Sequence, residues 1–142
     1  MIARIGLLAL LGCTACGPRL YSDGHIEATN RWLEHFAHYP AQRALRGEAS
    51  YYHDSLAGNH TANGDIYDPN MLTAAHRTLP FGTIARVTRL DTGARVVVRV
   101  NDRGPFGKRT RIIDLSREAA IRLQMLHRGV AQVQVDILHR AP

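Results

Sequence analysis

The chain has 142 residues, of which 45% are hydrophobic and 21% are charged, so its length and composition suit one globular domain with a modest extension and exclude two full domains. The formal net charge of +6 indicates a polyanionic partner. Aromatic residues make up only 6% and are scattered, and long basic runs are missing, so the sequence gives no support to a nucleic-acid module. A wall polymer or an anionic membrane surface suits the same charge.

The N-terminal segment is typical of a secretory leader. Arg4 is followed by an apolar stretch from Ile5 to Leu11, which is shorter than the ~20 apolar residues that a membrane-spanning helix needs. The ending Leu10-Leu11-Gly12-Cys13 resembles a bacterial lipobox, and this predicts a signal peptide over 1–12 and lipidation at Cys13. Cys16 is the alternative lipidation site, and a plain apolar tail with two incidental cysteines is the structural alternative. Since no cysteine follows Cys16, we expect a fold without disulfides.

A polar segment over 13–46 has the character of a linker. Within it, Ala28 to Tyr39 has the periodicity of a short amphipathic helix that Pro40 closes. Its aromatic residues recur at helical spacing: Trp32, Phe36 and Tyr39. We expect this helix to pack on the domain. A membrane-surface helix is the weaker alternative, because Arg31 is its single basic residue.

From Gly47 onward the patterns favour strands. The predicted strands are Ala49–His53, Thr83–Leu90, Arg95–Val100, Arg111–Leu115 and Val130–Leu138. Ser116 is a good N-cap for one helix that extends to about Leu126. Many short strands with one or two short helices predict a mainly β fold, and closure into a small barrel would leave no exposed sheet edge.

Asp102 is a carboxylate that the sequence places at the end of a predicted strand. It follows the β-rich run Val96–Val100 and precedes the turn Gly104-Pro105, which cannot continue a strand. Functional residues often lie on loops that a rigid scaffold holds in place. Taken alone, however, an aspartate in this position more often caps a turn.

Three further segments contain candidate functional residues. The Asn63-Gly64 turn presents Asp65 and Asp68, the small residues from Leu72 end in His76, and Arg103 begins a basic cluster that continues to Arg111. Each has a structural alternative as a turn cap, a core histidine or a solvated face. The acidic residues do not follow the spacing of a calcium loop, and the histidines lack the spacing of a zinc motif. We therefore expect no metal and no cofactor.

Taken together, these segments carry a family resemblance. They are Gly47–Tyr52, Thr61–Gly64, Tyr67–Asp68, Leu72–His76, Leu79–Thr83, Val96–Phe106 and Arg111–Ser116. In order and approximate spacing the sequence resembles the rare lipoprotein A family over residues 47–138. The resemblance implies a six-stranded double-psi β-barrel, related to expansins and to glycan-cleaving enzymes. A lipoprotein leader also belongs to that family.

The resemblance implies an endolytic lytic transglycosylase. Such an enzyme cuts peptidoglycan between N-acetylmuramic acid and N-acetylglucosamine and leaves 1,6-anhydro ends. Asp102 would be the general acid and then the base, with Asp65 as a second catalytic carboxylate. Substrate binding or support would fall to Asp68, His76, Asn63 and Arg103.

The implied partners are peptidoglycan strands and, through the lipid, a membrane. We expect a monomer in the bacterial envelope that binds no nucleic acid. Thr14 after Cys13 favours the outer membrane, facing the periplasm.

Asp65 departs from the family pattern, in which most members carry Glu at this position. The carboxylate is retracted by one methylene, and a misplacement of about 1 Å can cost ~100-fold in rate. An acid such as Asp102 is expected to have a pKa above the ordinary ~3.9, through desolvation or a neighbouring carboxylate, either Asp65 or Asp68. Two other function classes remain open: a non-catalytic expansin-like glycan binder, and a structural envelope lipoprotein.

Overall fold

The computed structural model describes residues 21–142, and the predicted leader, Cys13 and Cys16 lie outside this range. It contains two α-helices, α1 (Asp23–Glu34) and α2 (Arg117–Arg122), and six strands. The strands are β1 (Arg43–Tyr51), β2 (Thr73–His76), β3 (Ile84–Arg89), β4 (Arg95–Asp102), β5 (Arg111–Leu115) and β6 (Ala131–His139). None of the helices within 21–142 is long and apolar enough to span a membrane.

The six strands form a closed barrel in the order β1-β5-β2-β4-β3-β6. Two pairs, β1 with β5 and β2 with β4, are parallel, and the remaining pairs are antiparallel. Closure gives every strand two neighbours, so the barrel has no free edge. The prediction of a mainly β, closed six-stranded barrel is confirmed.

The core fills the barrel interior with β-branched side chains. On β4 the fully buried Val98 and Val100 alternate with Arg99. On β6 the fully buried Val133 and Val135 alternate with Gln134 in the same way. Val97 is also buried although it lies on the opposite face of β4, because α1 and the 3-10 turn after it cover that face. A strand buried on both faces gives the continuous valine run seen in the sequence.

The helix α1 packs on the barrel, as expected, but its bounds were wrong. The side chain of Ser22 caps its first turn, so the helix begins at Asp23 and not at Ala28. It ends at Glu34 and continues as a 3-10 turn over His35–His38. Its buried face consists of Ile26, Asn30 and Leu33.

Asn30 attaches α1 to the segment before β2. Its Nδ2 donates to the carbonyl of Asn70 at 3.0 Å, and its Oδ1 accepts from the N–H of Leu72 at 3.0 Å. The aromatic residues Trp32 and Tyr39 are about half exposed.

The barrel also begins earlier than predicted. β1 starts at Arg43, opposite Ile137 on β6, so the end of the predicted linker over 13–46 is a barrel strand. The helix α2, which follows β5, ends at Arg122 and not near Leu126. Gln124 adopts a left-handed conformation with φ 54°, which a continuing helix cannot contain.

Candidate active site

Four neighbouring strands align polar and small side chains in one row. Ser50 on β1 lies opposite Asp114 on β5, Asp114 lies opposite Ala75 on β2, and Ala75 lies opposite Asp102 on β4. The register shifts just before Ala75, so β4 carries Asn101 there as an extra residue. Two carboxylates, Asp114 and Asp102, therefore flank the small side chain of Ala75.

Three donors hold the carboxylate of Asp102. The N–H groups of Ala62 and Arg103 donate to Oδ1, each at 2.8 Å, and the Tyr52 hydroxyl contacts Oδ2 at 2.6 Å. Because two fixed N–H donors occupy Oδ1, a proton on this carboxyl group belongs on Oδ2. The residue is half-buried at the strand end.

Tyr52 and Tyr67 form the apolar floor beside Asp102. Their rings meet edge to face with centroids 4.7 Å apart, and Ala75 belongs to the same buried cluster. Burial, together with the hydrogen bond to Asp102, raises the pKa of Tyr52. Its hydroxyl therefore remains protonated and holds Oδ2 in place.

Asp114 is the functional candidate that sequence reasoning missed. It alternates with the core residues Ile113 and Leu115, so its side chain lies on the outer face of β5. Burial raises its pKa and the charge of Asp102 adds to this, against the hydrogen bond from Ser50. Its Oδ1 is buried without a hydrogen-bond partner among the described residues. The signal in the sequence that could have identified Asp114 is a carboxylate within the otherwise apolar part of the predicted strand Arg111–Leu115.

Asp65 lies at the same end of β4 but has its own partners. Its Oδ2 accepts from Arg99 at 2.8 Å and from Asn101 at 3.2 Å. Burial opposes its ionisation, but hydrogen bonds from Arg99, Asn63 and Asn101 outweigh this and lower the pKa of Asp65. The ion pair therefore fixes this loop on β4 and places the N–H of Ala62 against Asp102.

Asn63 shapes the same loop from within. Its Oδ1 accepts from the Thr61 hydroxyl at 2.7 Å and from the N–H of Asp65 at 3.0 Å. The following Gly64 has φ +93°, which favours glycine in this turn. The geometry gives Asn63 a supporting role.

Asp68 is a buried turn residue. It is 2% exposed, and its Oδ1 accepts from both the N–H and the Nδ2 of Asn70. Through this contact it shapes the segment to which α1 is attached. Its burial places it beneath the site surface, in a supporting position.

His76 closes a turn at the end of β2. Its Nδ1 accepts from the N–H groups of Thr78 and Leu79, both at 3.1 Å, so the ring proton lies on Nε2. Burial lowers the pKa of His76 to about 4, and the charges of Arg77, Arg103 and Arg43 act in the same direction. The imidazole is therefore neutral at physiological pH.

Arg103 connects this turn to the C-terminal end of β4. Its guanidinium donates to the carbonyls of His76 and Leu79, at 3.3 and 2.9 Å, and lies 3.8 Å from the ring centroid of Phe81. Its backbone N–H holds Asp102. Arg103 thus supports the site through both its backbone and its side chain.

A comparison with known protein families identifies the barrel. A family model described as "Lytic transglycolase", a double-psi β-barrel domain, matches residues 44–135. The chain belongs to this family. The match covers all but the edges of the barrel and includes every carboxylate described above.

Curated relatives carry the same kind of name. A "Probable endolytic peptidoglycan transglycosylase RlpA" of Treponema pallidum is 55% identical over 89 residues, which are 63% of this chain and 28% of that protein. An "Endolytic peptidoglycan transglycosylase RlpA" of Pasteurella multocida is 40% identical over 129 residues, covering 86% of this chain and 44% of that protein. The chain spans less than half the length of these relatives.

Solved structures share the fold. The Streptomyces papain inhibitor is 27% identical with a TM-score of 0.56, covering 71% of this chain and 99% of that chain. An expansin of Clavibacter michiganensis is 20% identical with a TM-score of 0.53, covering 70% of this chain and 52% of that chain. The expansin likeness shows the fold alone.

Proposed function

We propose that this chain is an endolytic lytic transglycosylase that cleaves peptidoglycan between N-acetylmuramic acid and N-acetylglucosamine. The observation that carries this proposal is the Asp102 carboxyl group, which is fixed at a strand end with one oxygen available for a proton. The family and the names of the relatives support the same substrate.

The proposed reaction consists of two proton transfers through Asp102. Oδ2 of Asp102 donates its proton to the glycosidic oxygen as the bond from that oxygen to muramic C1 breaks. The ionised carboxylate then takes the proton of the muramic C6 hydroxyl, whose oxygen bonds to C1. The products are a 1,6-anhydro-muramic end and a free glucosamine 4-hydroxyl, and no water is consumed. The oxocarbenium-like chemistry is that of glycosidases, with the substrate's own hydroxyl as nucleophile.

The surrounding residues position this group. Tyr52 orients Oδ2, and the backbone of Ala62 and Arg103 orients Oδ1. Asp114 supplies a second carboxyl group with a raised pKa, coupled electrostatically to Asp102. Asp65 acts through the loop that it anchors.

Digestion of purified peptidoglycan by the full chain tests this function. We expect mass spectrometry to find anhydro-muramyl products with the wild type and none with Asp102→Asn. The control is Asp91→Asn, which makes the same change of charge in the turn before β4, at the end of the strand away from Asp102. This variant is expected to retain activity. Circular dichroism checks that both variants fold.

The alternatives predict other outcomes of the same digestion. Products with reducing-end muramic acid would indicate a hydrolase. Binding without products would favour the expansin-like glycan binder, and neither binding nor products would leave a structural lipoprotein.

We also propose that a lipid on Cys13 attaches the chain to the bacterial outer membrane, facing the periplasm. The apolar stretch before Cys13 and the lipobox-like ending support the lipid, and Thr14 after Cys13 supports the outer membrane. The mass of the mature chain, expressed in a host that lipidates exported proteins, provides the test. Acylation is expected to persist in Cys16→Ala and to vanish in Cys13→Ala, whereas the reverse pattern would assign the lipid to Cys16.

A further inference from the structure

A groove rich in arginine lies on the side of the barrel next to His76. It consists of two adjoining cavities of about 320 and 410 Å³ that share Arg43, Thr78 and Leu79. Its charged lining comprises Arg43, Arg46, Arg77 and Arg140, which together we call the arginine groove.

The charge of the arginine groove is not compensated by its own lining. No aspartate or glutamate lines either cavity within the described part of the chain. Arg46 donates to the amide oxygen of Gln134 and Arg77 to the carbonyl of Lys108, both of which are neutral acceptors. Like charges that converge without a counter-charge repel one another, and an anion bound between them relieves that repulsion.

The arginine groove begins beside the candidate active site. Its lining residues His76 and Leu79 accept hydrogen bonds through their carbonyls from the guanidinium of Arg103, whose N–H donates to Asp102. Arg103 therefore connects the arginine groove to the strand end that carries Asp102.

We propose that the arginine groove binds carboxylate groups carried by the glycan strand, an inference that rests on the proposed function. Guanidinium groups match carboxylates in a planar, two-hydrogen-bond geometry. A peptidoglycan strand offers this chemistry from two sources, the lactyl carboxylate of a bare muramic acid and the carboxylates of its stem peptide. An uncharged glycan of the same backbone type, such as chitin, offers neither.

Co-sedimentation with purified sacculi tests the proposal. The full chain carries Asp102→Asn in every sample, so that cleavage does not alter the amount of bound protein. In this background we compare Arg43→Gln/Arg140→Gln with the control Arg31→Gln/Arg95→Gln. All four side chains are exposed, both pairs remove two positive charges, and the control arginines lie outside the groove. Thermal unfolding checks that each variant folds.

The groove variant is expected to bind sacculi about tenfold more weakly than the control, since each hydrogen bond between charged groups contributes appreciably to affinity. Sacculi whose carboxylates have been converted to amides with carbodiimide, and chitin, are expected to bind both variants equally weakly. Equal binding of the two variants to untreated sacculi, or undiminished binding to amidated sacculi, would overturn the proposal.

Two further arms identify the source of the carboxylate and the class of ligand. If sacculi stripped of stem peptides by an amidase retain the difference between the variants, the lactyl carboxylate is the ligand; if they lose it, the stem peptide is. Vesicles containing phosphatidylglycerol test a lipid headgroup, and a stronger arginine dependence for vesicles than for sacculi would refute the carboxylate assignment. A wild-type chain that releases no anhydro products would refute the proposed function without affecting these binding results.

Discussion

Asp65 holds the loop that carries Ala62, whose N–H donates to Asp102. Its carboxylate binds Arg99 at 2.8 Å, and the pair is partly exposed, with side chains 27% and 33% accessible for Arg99 and Asp65. A partly exposed ion pair of this kind contributes little free energy by itself. Its importance lies in geometry, because the N–H of Ala62 reaches Asp102 only when the loop is fixed.

Asp65→Glu is therefore expected to leave the rate of anhydro-product release within about fivefold of wild type, since an exposed ion pair is worth at most about 1 kcal/mol. The long side chain of Arg99 can follow a carboxylate displaced by one methylene. Asp65→Ala, which releases the loop, is expected to lower the rate by roughly 10- to 100-fold through misplacement of the catalytic group. A rate increase on the order of 100-fold in Asp65→Glu would contradict this and show that the carboxylate contacts the substrate directly.

At the scale of elements, the contact between β1 and β5 depends on Gly47. A Cβ at this position would lie 2.7 Å from Cγ2 of Ile112 and 2.9 Å from the carbonyl oxygen of Thr110. The backbone of Glu48 donates to that same carbonyl at 2.8 Å, so it cannot move away without breaking a hydrogen bond. This close approach starts the parallel pair that brings Ser50 next to Asp114.

Gly47→Ala is expected to destabilise the protein by about 1–3 kcal/mol, the usual cost of overpacking, measured by urea unfolding. Gly24→Ala is the matched control, because Gly24 lies in α1 and a Cβ added there would have no heavy atom within 4 Å. There alanine favours the helix, with a gain of up to about 1 kcal/mol. If the two variants had equal stability, the close approach of β1 to β5 would not be the reason for glycine at 47.

Patterning in the sequence located most elements correctly, since the alternation that marks a strand is local. The strand Arg111–Leu115 was predicted with its observed bounds, and the valine run identified β4. The strand β2 over Thr73–His76 was missed, and the errors in the bounds of β1 and β4 lie at ends that depend on distant partners. β1 extends back to Arg43 because β6 is there to pair with it, and β4 continues through Asp102 because β2 pairs with it up to Ala75.

At the scale of the whole molecule, the stability of the barrel is coupled to pH through His76. The folded state lowers its pKa from 6.5 to about 4, because a buried neutral ring caps the turn among arginines. Between these values the unfolded chain binds a proton that the folded chain does not. Stability therefore falls as the pH is lowered from 6.5 towards 4, by up to about 3 kcal/mol.

His76→Asn is expected to flatten this part of the stability curve. The asparagine oxygen can accept from the same N–H groups of Thr78 and Leu79 without titrating. His53→Asn is the control, since the Nδ1 of the exposed His53 accepts from the N–H of Ser55 in a similar turn. Urea unfolding at several pH values measures the slope. If His76→Asn kept the wild-type slope between pH 6.5 and 4, another group would be responsible for the acid sensitivity.

The sequence by itself determined that the chain forms a closed mainly β barrel, that Asp102 ends a strand, and that Asp65 lies in an Asn-Gly turn. These features follow from side-chain alternation and turn chemistry, which act between residues close in the chain. Only the tertiary structure decided which groups meet at the site. Asp114 lies near Asp102 because β5 and β4 both pair with β2, and Tyr52 reaches Asp102 from 50 residues away. Such contacts depend on strand order, and strand order is set by the packing of the whole barrel, which no local pattern encodes.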